Sequence, residues 1–575
     1  MQKTKFKKAY ILFLTAIVLA FGFIFLRFFH IDERIPEIKR KQIISTVILS
    51  HLDSVDAKRV EVLKKISDQE SPQTIILVAP NHFDAGKTDI ITTEKEWKLS
   101  NAVVLPNKNI INKLLSNQSV SSDEGAISSE HGITNLLGNI NQNFPDAELV
   151  PIIIKRGASK DEMTALSNEL IKACGQNCLL IASVDFSQYQ PGALAEIHDS
   201  LSIRALSNLD EGLIWQTEVD SPQSLALAIL WAKNNQTESF HVEENNNSAK
   251  VANDPDVEST SYILGWYESG LKKIVTEEMT FMMAGDSMFG RLVDYQFKND
   301  LQESMKNLGE RFFWGVDFSI LNLEGPISQI PTRPSTNPYN LIFNFPPETV
   351  EVLKWLHINA VSLANNHSLN QGVSGFENTK AVLSQNNITP IGHQSEFDDS
   401  SIIKFENGKK KIIVIAANFY GINPDLGETI VQEKQNGAFV IIFPHWGNEY
   451  QKVHSNNQER LAHAWIDAGA DLVIGSHPHV IQDAENYNGK PIFYSLGNLI
   501  FDQTFSTETQ QGLVIAGKID DNKLTLVFLP TIQKNLQPEL MEGEERRAEI
   551  NRLKEGLGLD TNQTGYGYDT IEISF

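Results

Sequence analysis

An uncharged run from Ala9 to Leu26 follows Lys3, Lys5, Lys7 and Lys8 and is closed by Arg27. As a helix it would reach about 27 Å, close to the hydrocarbon thickness of a bilayer. The pattern predicts a basic tip at 1–8 and a transmembrane signal anchor over 9–29. Arg27, Phe28, Phe29, His30 and Ile31 stand where a small-x-small cleavage site would be needed, so the anchor is expected to stay uncleaved. The positive-inside rule then keeps the lysines in the cytoplasm. The expectation is a single-pass cell-membrane protein with a large ectodomain outside the cytoplasm.

Beyond the charged stretch Asp32 to Lys41 the pattern changes to short apolar runs alternating with helix-like segments. Ile75 to Ala79, Val150 to Ile154 and Leu179 to Ala182 read as buried strands, and Asp161 to Cys174 as a helix. Residues 42–268 therefore read as one α/β region. A polar linker at 269–278 leads to a second α/β region at 279–535. Within the tail at 536–575, Gln537 to Leu559 is acidic and basic by turns and reads as a solvated helix.

In the second region nearly every apolar run ends in a polar cluster. Phe281 to Ala284 leads to Asp286, Phe318 to Leu321 to Glu324, and Ala360 to Ala364 to Asn365-Asn366-His367. Phe439 to Phe443 leads to His445, Leu472 to Ile474 to His477 and His479, and Ile492 to Tyr494 to Asn498. Carboxyl ends of successive strands in an α/β sheet converge on one crevice. One shared site is the economical reading. Asp286, Glu324, Asn366, His445, His477 and His479 make a mixed N/O ligand set without thiolate, suited to Zn, Mn or Fe. Six ligands exceed the need of one tetrahedral ion and suit two divalent transition-metal ions sharing a carboxylate, a clamp used for phosphoryl displacement. His367, beside a ligand and left over, suits a general acid. Arg291, Asn322 and Asn498 lie in the same motifs and are expected to contact substrate. His357, His393, His454 and His463 read as structural, His463 on a helix surface beside Leu461, Trp465 and Ile466.

Composition sharpens this picture at three points. The 575 residues call for more than one domain, and 41% hydrophobic with 21% charged residues is a folded, globular balance. A net charge of −23 repels phosphate backbones and argues against a nucleic-acid partner. Cys174 and Cys178 are the only cysteines. They exclude a four-cysteine zinc site and read as a small apolar pair at a helix-to-strand corner rather than a disulfide.

The series Gly-Asp-Ser-Met-Phe-Gly-Arg at 285–291, Asn-Leu-Glu-Gly-Pro at 322–326, Ala-Asn-Asn-His at 364–367, His-Trp-Gly at 445–447, Gly-Ser-His-Pro-His at 475–479 and Ser-Leu-Gly-Asn at 495–498 resembles the capsule synthesis protein CapA family. The resemblance implies a role in capsule or poly-gamma-glutamate production and a calcineurin-like metallophosphoesterase fold, an α/β/β/α sandwich. It also implies Asp286 and His479 on one metal, Asn366, His445 and His477 on the other, Glu324 bridging and His367 as acid. Met288 stands where metallophosphoesterases usually have a His, and Asn370 where the CapA pattern has an Asp that could orient His367. The implied partners are an envelope polymer or its synthase complex.

Val78 to Phe83, Ser129 to Gly132 and Ala182 to Tyr189 resemble the Memo-like family, known in bacteria as AmmeMemoRadiSam system protein B. This resemblance implies an α/β domain similar to extradiol dioxygenases with a pocket at His82, His131 and Asp185. Gln188 replaces an expected His, and His241 to Tyr267 offers no Cys. The pocket is therefore expected to be vestigial rather than an active metal centre, or the half to be a scaffold. For the whole chain, three functions stand beside one another: a metal-dependent phosphoester hydrolase of envelope-polymer synthesis, a non-catalytic polymer-binding or assembly module using the same pocket, and a gamma-glutamyl amide hydrolase or transferase.

Overall fold

The structure is a computed structural model that describes residues 44–174, 177–270, 277–330, 335–337 and 339–574. The fold class is corrected in one respect. Among the described residues no helix is long and apolar enough to cross a membrane, and the anchor expected over 9–29 lies outside them. What the described residues form is a compact, mixed α/β fold.

The first half is built on a nine-stranded sheet. Its main order runs Ser239–Asn247, Glu258–Glu268, Ile44–Leu49, Cys178–Ser183, Thr74–Pro80, Glu148–Ile154, Ile90–Thr92 and Val120–Ser122. Ile44–Leu49, Cys178–Ser183, Thr74–Pro80 and Glu148–Ile154 pair in parallel. They are buried along nearly their whole length, as strands covered on both faces must be. Cys174 ends the helix Lys160–Cys174 and Cys178 opens the next strand. Contrary to the sequence expectation the two are joined as a disulfide, because the corner brings their Cα atoms to 6.0 Å.

The second half stacks two sheets. One runs Thr389–Ile391, Ala360–Ser362, Phe318–Leu323, Met279–Ser287, Gln511–Ile519, Lys523–Lys534 and Gln537–Leu540. The other runs Ile402–Asn407, Lys410–Asn418, Phe439–His445, Leu472–Ile474, Lys490–Phe493 and Ala484–Tyr487. Phe281, Met283, Phe318 and Ile320 of the first meet Ile412, Val414, Ile441 and Leu472 of the second in one apolar layer. The tail is not a solvated appendage. Its helix Gly543–Gly556 buries Ile550 and Leu553 in that layer, and Thr570–Ser574 pairs antiparallel with Lys523–Lys534. The helix turns only a narrow apolar face inward, too little to stand out among its charges.

Helix Gly192–Ser207 ties the halves together. It packs on Glu258–Glu268 of its own sheet and on Met279–Ser287 of the other half. Ala193, Leu194 and Ile197 share a core with Met282, Ala284, Val514 and Ala516. Across the same junction Arg204 is held bidentately by Asp317, with one bond at 2.9 Å.

Candidate functional site

The six strand ends of the second half meet in one buried centre. Glycine makes the approach possible at two points: a Cβ on Gly285 would collide with the carbonyl of Gly497, and one on Gly475 with that of Tyr494. His477 and His479 then follow with φ of +99° and +58°, left-handed values that non-glycine residues adopt at a cost and that recur at functional sites.

Asp286, Glu324, His445, His477 and His479 are all essentially buried. His477 Nδ1 lies 3.1 Å from His445 Nε2, which in turn lies 2.9 Å from Asn366 Oδ1. His479 Nδ1 is 3.2 Å from Asp286 Oδ2, and its Nε2 is 3.6 Å from Glu324 Oε1. Two ligand triads result, Glu324 with His477 and His479, and Asp286 with Glu324 and His445; within each, the donor atoms lie no more than 4.8 Å apart. Glu324 belongs to both. Its Oε1 and the Nε2 of His477 are buried without a hydrogen-bond partner among the described residues. Buried polar atoms are rarely left so. Together with the N/O donor set, these orphans fit divalent transition-metal ions.

The electrostatics agree with that fit. Burial pushes the Glu324 carboxyl well above its usual range and His445 well below its own. Burial, with His479 beside it, takes His477 down to about 3. Burial opposes charge on His479 too, but Glu324 and Asp286 outweigh it and hold the imidazole up to about 9. A cation entering the cluster would displace protons, as metal uptake generally does.

The remaining predicted residues frame the centre. Asn322 Nδ2 donates to Asp286 Oδ1 at 2.8 Å and lies 3.3 Å from His445 Nδ1, so it orients both side chains. Asn498 Oδ1 lies 3.0 Å from His479 Nδ1. Arg291 faces inward, paired bidentately with Asp502 and set over the rings of Phe343 and Phe501. His367 Nε2 lies 3.9 Å from Glu324 Oε1, and the His367 ring stacks on Phe343. Asn370 occupies the place of the expected acid. Its Oδ1 accepts the Phe343 N–H at 2.7 Å, so the same oxygen can only accept from His367 Nδ1, 3.0 Å away. The proton is thereby assigned to Nδ1, and Nε2 is the atom turned to the centre. Burial pushes His367 below its ordinary value, with Asn370 opposing. Met288, in place of a ligand, is buried with its sulfur 3.1 Å from the Gly290 N–H.

The first half brings together more than its motifs foretold. His82 and His131 stack at 4.3 Å, and His51 meets both rings edge-on at 5.3 and 4.9 Å. His51 Nε2 lies 3.2 Å from Asp185 Oδ2 and 3.3 Å from Asp220 Oδ2. His82 is held by Glu130 at Nδ1, 2.7 Å, and faces Asp220 at Nε2, 3.7 Å. Burial opposes charge on His82, but Asp220 and Glu130 outweigh it and raise the imidazole to about 10. The three imidazoles offer ligand atoms within 4.8 Å of one another, and Asp220 Oδ1 is buried without a hydrogen-bond partner among the described residues. The trio offers a ligand set that fits one divalent transition metal without Gln188 or a cysteine. His51 was legible, since it follows the strand Ile44–Leu49 in the same strand-then-polar form. Asp220 was not, for it arrives from outside the strand ends, while Glu130 lies in the motif Ser129 to Gly132 with no role that the sequence alone assigns.

Comparison with known proteins divides at the same junction. Residues 280–503 match the family model described as bacterial capsule synthesis protein PGA_cap, and residues 25–262 the Memo-like protein model. The chain joins a Memo-like half to a CapA-like half. It is 29% identical over 263 residues to the PGA biosynthesis protein CapA of Bacillus subtilis, covering 42% of this chain and 69% of that one. It is 28% identical over 318 residues to the capsule biosynthesis protein CapA of Bacillus anthracis, covering 50% and 74%. In the Memo-like half, a MEMO1 family protein of Pyrobaculum aerophilum is 26% identical over 148 residues, 25% of this chain and 53% of that one. Among solved structures, the calcineurin-like phosphoesterase YfkN of Bacillus subtilis covers 46% of this chain and 89% of its own at 14% identity and a TM-score of 0.26.

Proposed function

We propose that the CapA-like half is a metal-dependent hydrolase of phosphoester-type bonds that serves the synthesis of a cell-envelope polymer. The observation that carries this reading is Glu324, a buried carboxylate with one orphaned oxygen, common to both ligand triads and facing His367. The polymer role is supported by relatives named for capsule and PGA biosynthesis. Asp286, Glu324, Asn366, His445, His477 and His479 would hold a pair of ions. When bound, such ions supply Lewis acidity and lower the pKa of a water. The chain's own groups do the rest. Asn322 and Asn498 orient Asp286 and His479, Phe343 covers one face of His367, and His367, having taken up a proton from solvent at Nε2, gives it to the leaving oxygen while Asn370 keeps Nδ1 protonated. On this reading the chain works outside the cytoplasm. The Cys174–Cys178 disulfide supports that, since such bonds persist in oxidising compartments.

The test is metal content and turnover of the whole chain. Two transition-metal ions per chain that are lost in Asp286→Ala/His477→Ala, and cleavage of bis-p-nitrophenyl phosphate that falls at least about 100-fold in His367→Ala, the lower range for a general acid, are expected. Cleavage of a gamma-glutamyl anilide in its place would move the chemistry to amide hydrolysis. A metal-free, inert protein would leave a binding module.

A further inference from the structure

We propose that the CapA-like half completes the histidine–carboxylate cluster of the Memo-like half, with Arg311 acting as a positioning residue for divalent transition-metal binding there.

The segment from Glu310 to Gly315 belongs to the second half by sequence but docks into the first. Glu310 pairs with Arg156 at 3.0 Å, and the Arg156 guanidinium lies 5.8 Å from the Trp314 ring. The Gly315 N–H donates to Gln216 O at 3.3 Å. A Cβ on Gly315 would press into the buried His198 ring, so the backbone itself is the contact. Between these anchors Arg311 Nη1 donates to Glu218 Oε1 at 2.9 Å and to Val219 O at 3.4 Å.

That grip falls on the one loop that supplies Asp220. The other oxygen of Glu218, which is wholly buried, accepts the Gln188 N–H at 2.9 Å. Asp220 donates its N–H to Asp185 O at 3.1 Å and accepts the Asp185 N–H on Oδ2 at 3.0 Å. The same Oδ2 lies between His51 and His82. The guanidinium of one half thus grips Glu218 and Val219, and the main chain carries that grip to the next residue, Asp220, whose carboxylate faces two imidazoles of the other half. Arg311, Asp220, His82, Gln188 and Arg156 also line one cavity of about 550 Å³, so the cluster opens into a space walled by both halves. Groups that orient metal-binding imidazoles typically change affinity 10–100-fold when removed.

The experiment titrates Co(II) into the chelator-stripped full chain, in an Asp286→Ala/His477→Ala background that disables the other centre, following d–d absorption and equilibrium dialysis. One Co(II) per chain that is lost in His51→Ala and His82→Ala is expected. Arg311→Ala should weaken it 10–100-fold and alter the absorption envelope, and Arg311→Lys should recover most of the loss. Arg311→Met combined with Glu218→Gln removes the bond without stranding a buried carboxylate, and should weaken binding to a similar degree. Arg204→Ala, which cuts a different bond between the halves, should leave it unchanged. The proposal is overturned if no Co(II) depends on His51 and His82, if the Arg311→Met/Glu218→Gln chain binds as tightly as its parent, or if Arg204→Ala weakens binding equally.

Discussion

Asn322 offers a sharp test of how the CapA-like centre is organised. Its side chain is buried, donates to Asp286 Oδ1 at 2.8 Å, and is itself held by Asn365 Nδ2 at 3.0 Å. A hydrogen bond to a charged acceptor is worth about 1.5–3 kcal/mol. If Asn322→Ala loses that bond in the metal-bound state, affinity should fall by a factor of about 10–150, given about 1.4 kcal/mol per decade. Asn322→Asp should do the opposite by placing a third carboxylate beside Asp286, destabilising the metal-free protein and tightening metal binding. Competition with a chromogenic chelator reads affinity, and thermal unfolding with and without metal reads the apo penalty. If both variants bind metal like the parent, Asp286 is not a ligand oriented by Asn322 and the assembled centre is misread.

Other expectations follow from single contacts. His454 Nδ1 lies 2.9 Å from Asp483 Oδ2; that bond raises the His454 pKa, and, against the pull of burial, it lowers that of Asp483. The histidine's contribution is full below its unfolded value, about 6.5, and disappears as pH rises through the raised folded value. The carboxylate's is present above about 3.9 and is lost as pH falls through its lowered value. The melting-temperature gap between the parent and His454→Gln should therefore be widest in mildly acidic buffer and shrink in alkaline buffer; a gap independent of pH would refute the pairing. Arg204→Met leaves Asp317 without its cross-half partner and should cost about 3–5 kcal/mol in denaturant unfolding, where a loss near zero would mean the junction is not held there. Gly475→Ala must displace both Tyr494 O and the Trp446 indole, so at least the usual overpacking cost of about 1–3 kcal/mol should appear as a lowered melting temperature.

The cluster at the strand ends of the CapA-like half was legible because each predicted donor sits where a buried strand stops, and strands and stops both leave local marks. Asp286, Glu324, Asn366, His445, His477 and His479 needed no knowledge of the packing to be grouped. Asn370 stands where the family pattern has an acid, and its oxygen accepts from Nδ1 of His367 by the same bond an acid would make, without the charge. Asp220 and Arg311 were illegible for a different reason. Asp220 lies in a turn and Arg311 in a loop some ninety positions on, and only the docking of the halves brings them to one site. The sequence favours an apolar pair over the Cys174–Cys178 disulfide because spacing alone does not say which way two thiols at a corner will face.

Helix Gly192–Ser207 has a consequence for anyone who would handle these halves separately. Almost all of its residues are buried, by the sheet of its own half on one side and by the strands Met279–Ser287 and Gln511–Ile519 on the other. A fragment that stops before Met279 would lay bare one oily flank of the helix, and a fragment that starts there would bare the surface that flank had sealed. Each piece on its own would carry an adhesive scar, so severing this polypeptide should yield aggregates sooner than two working parts.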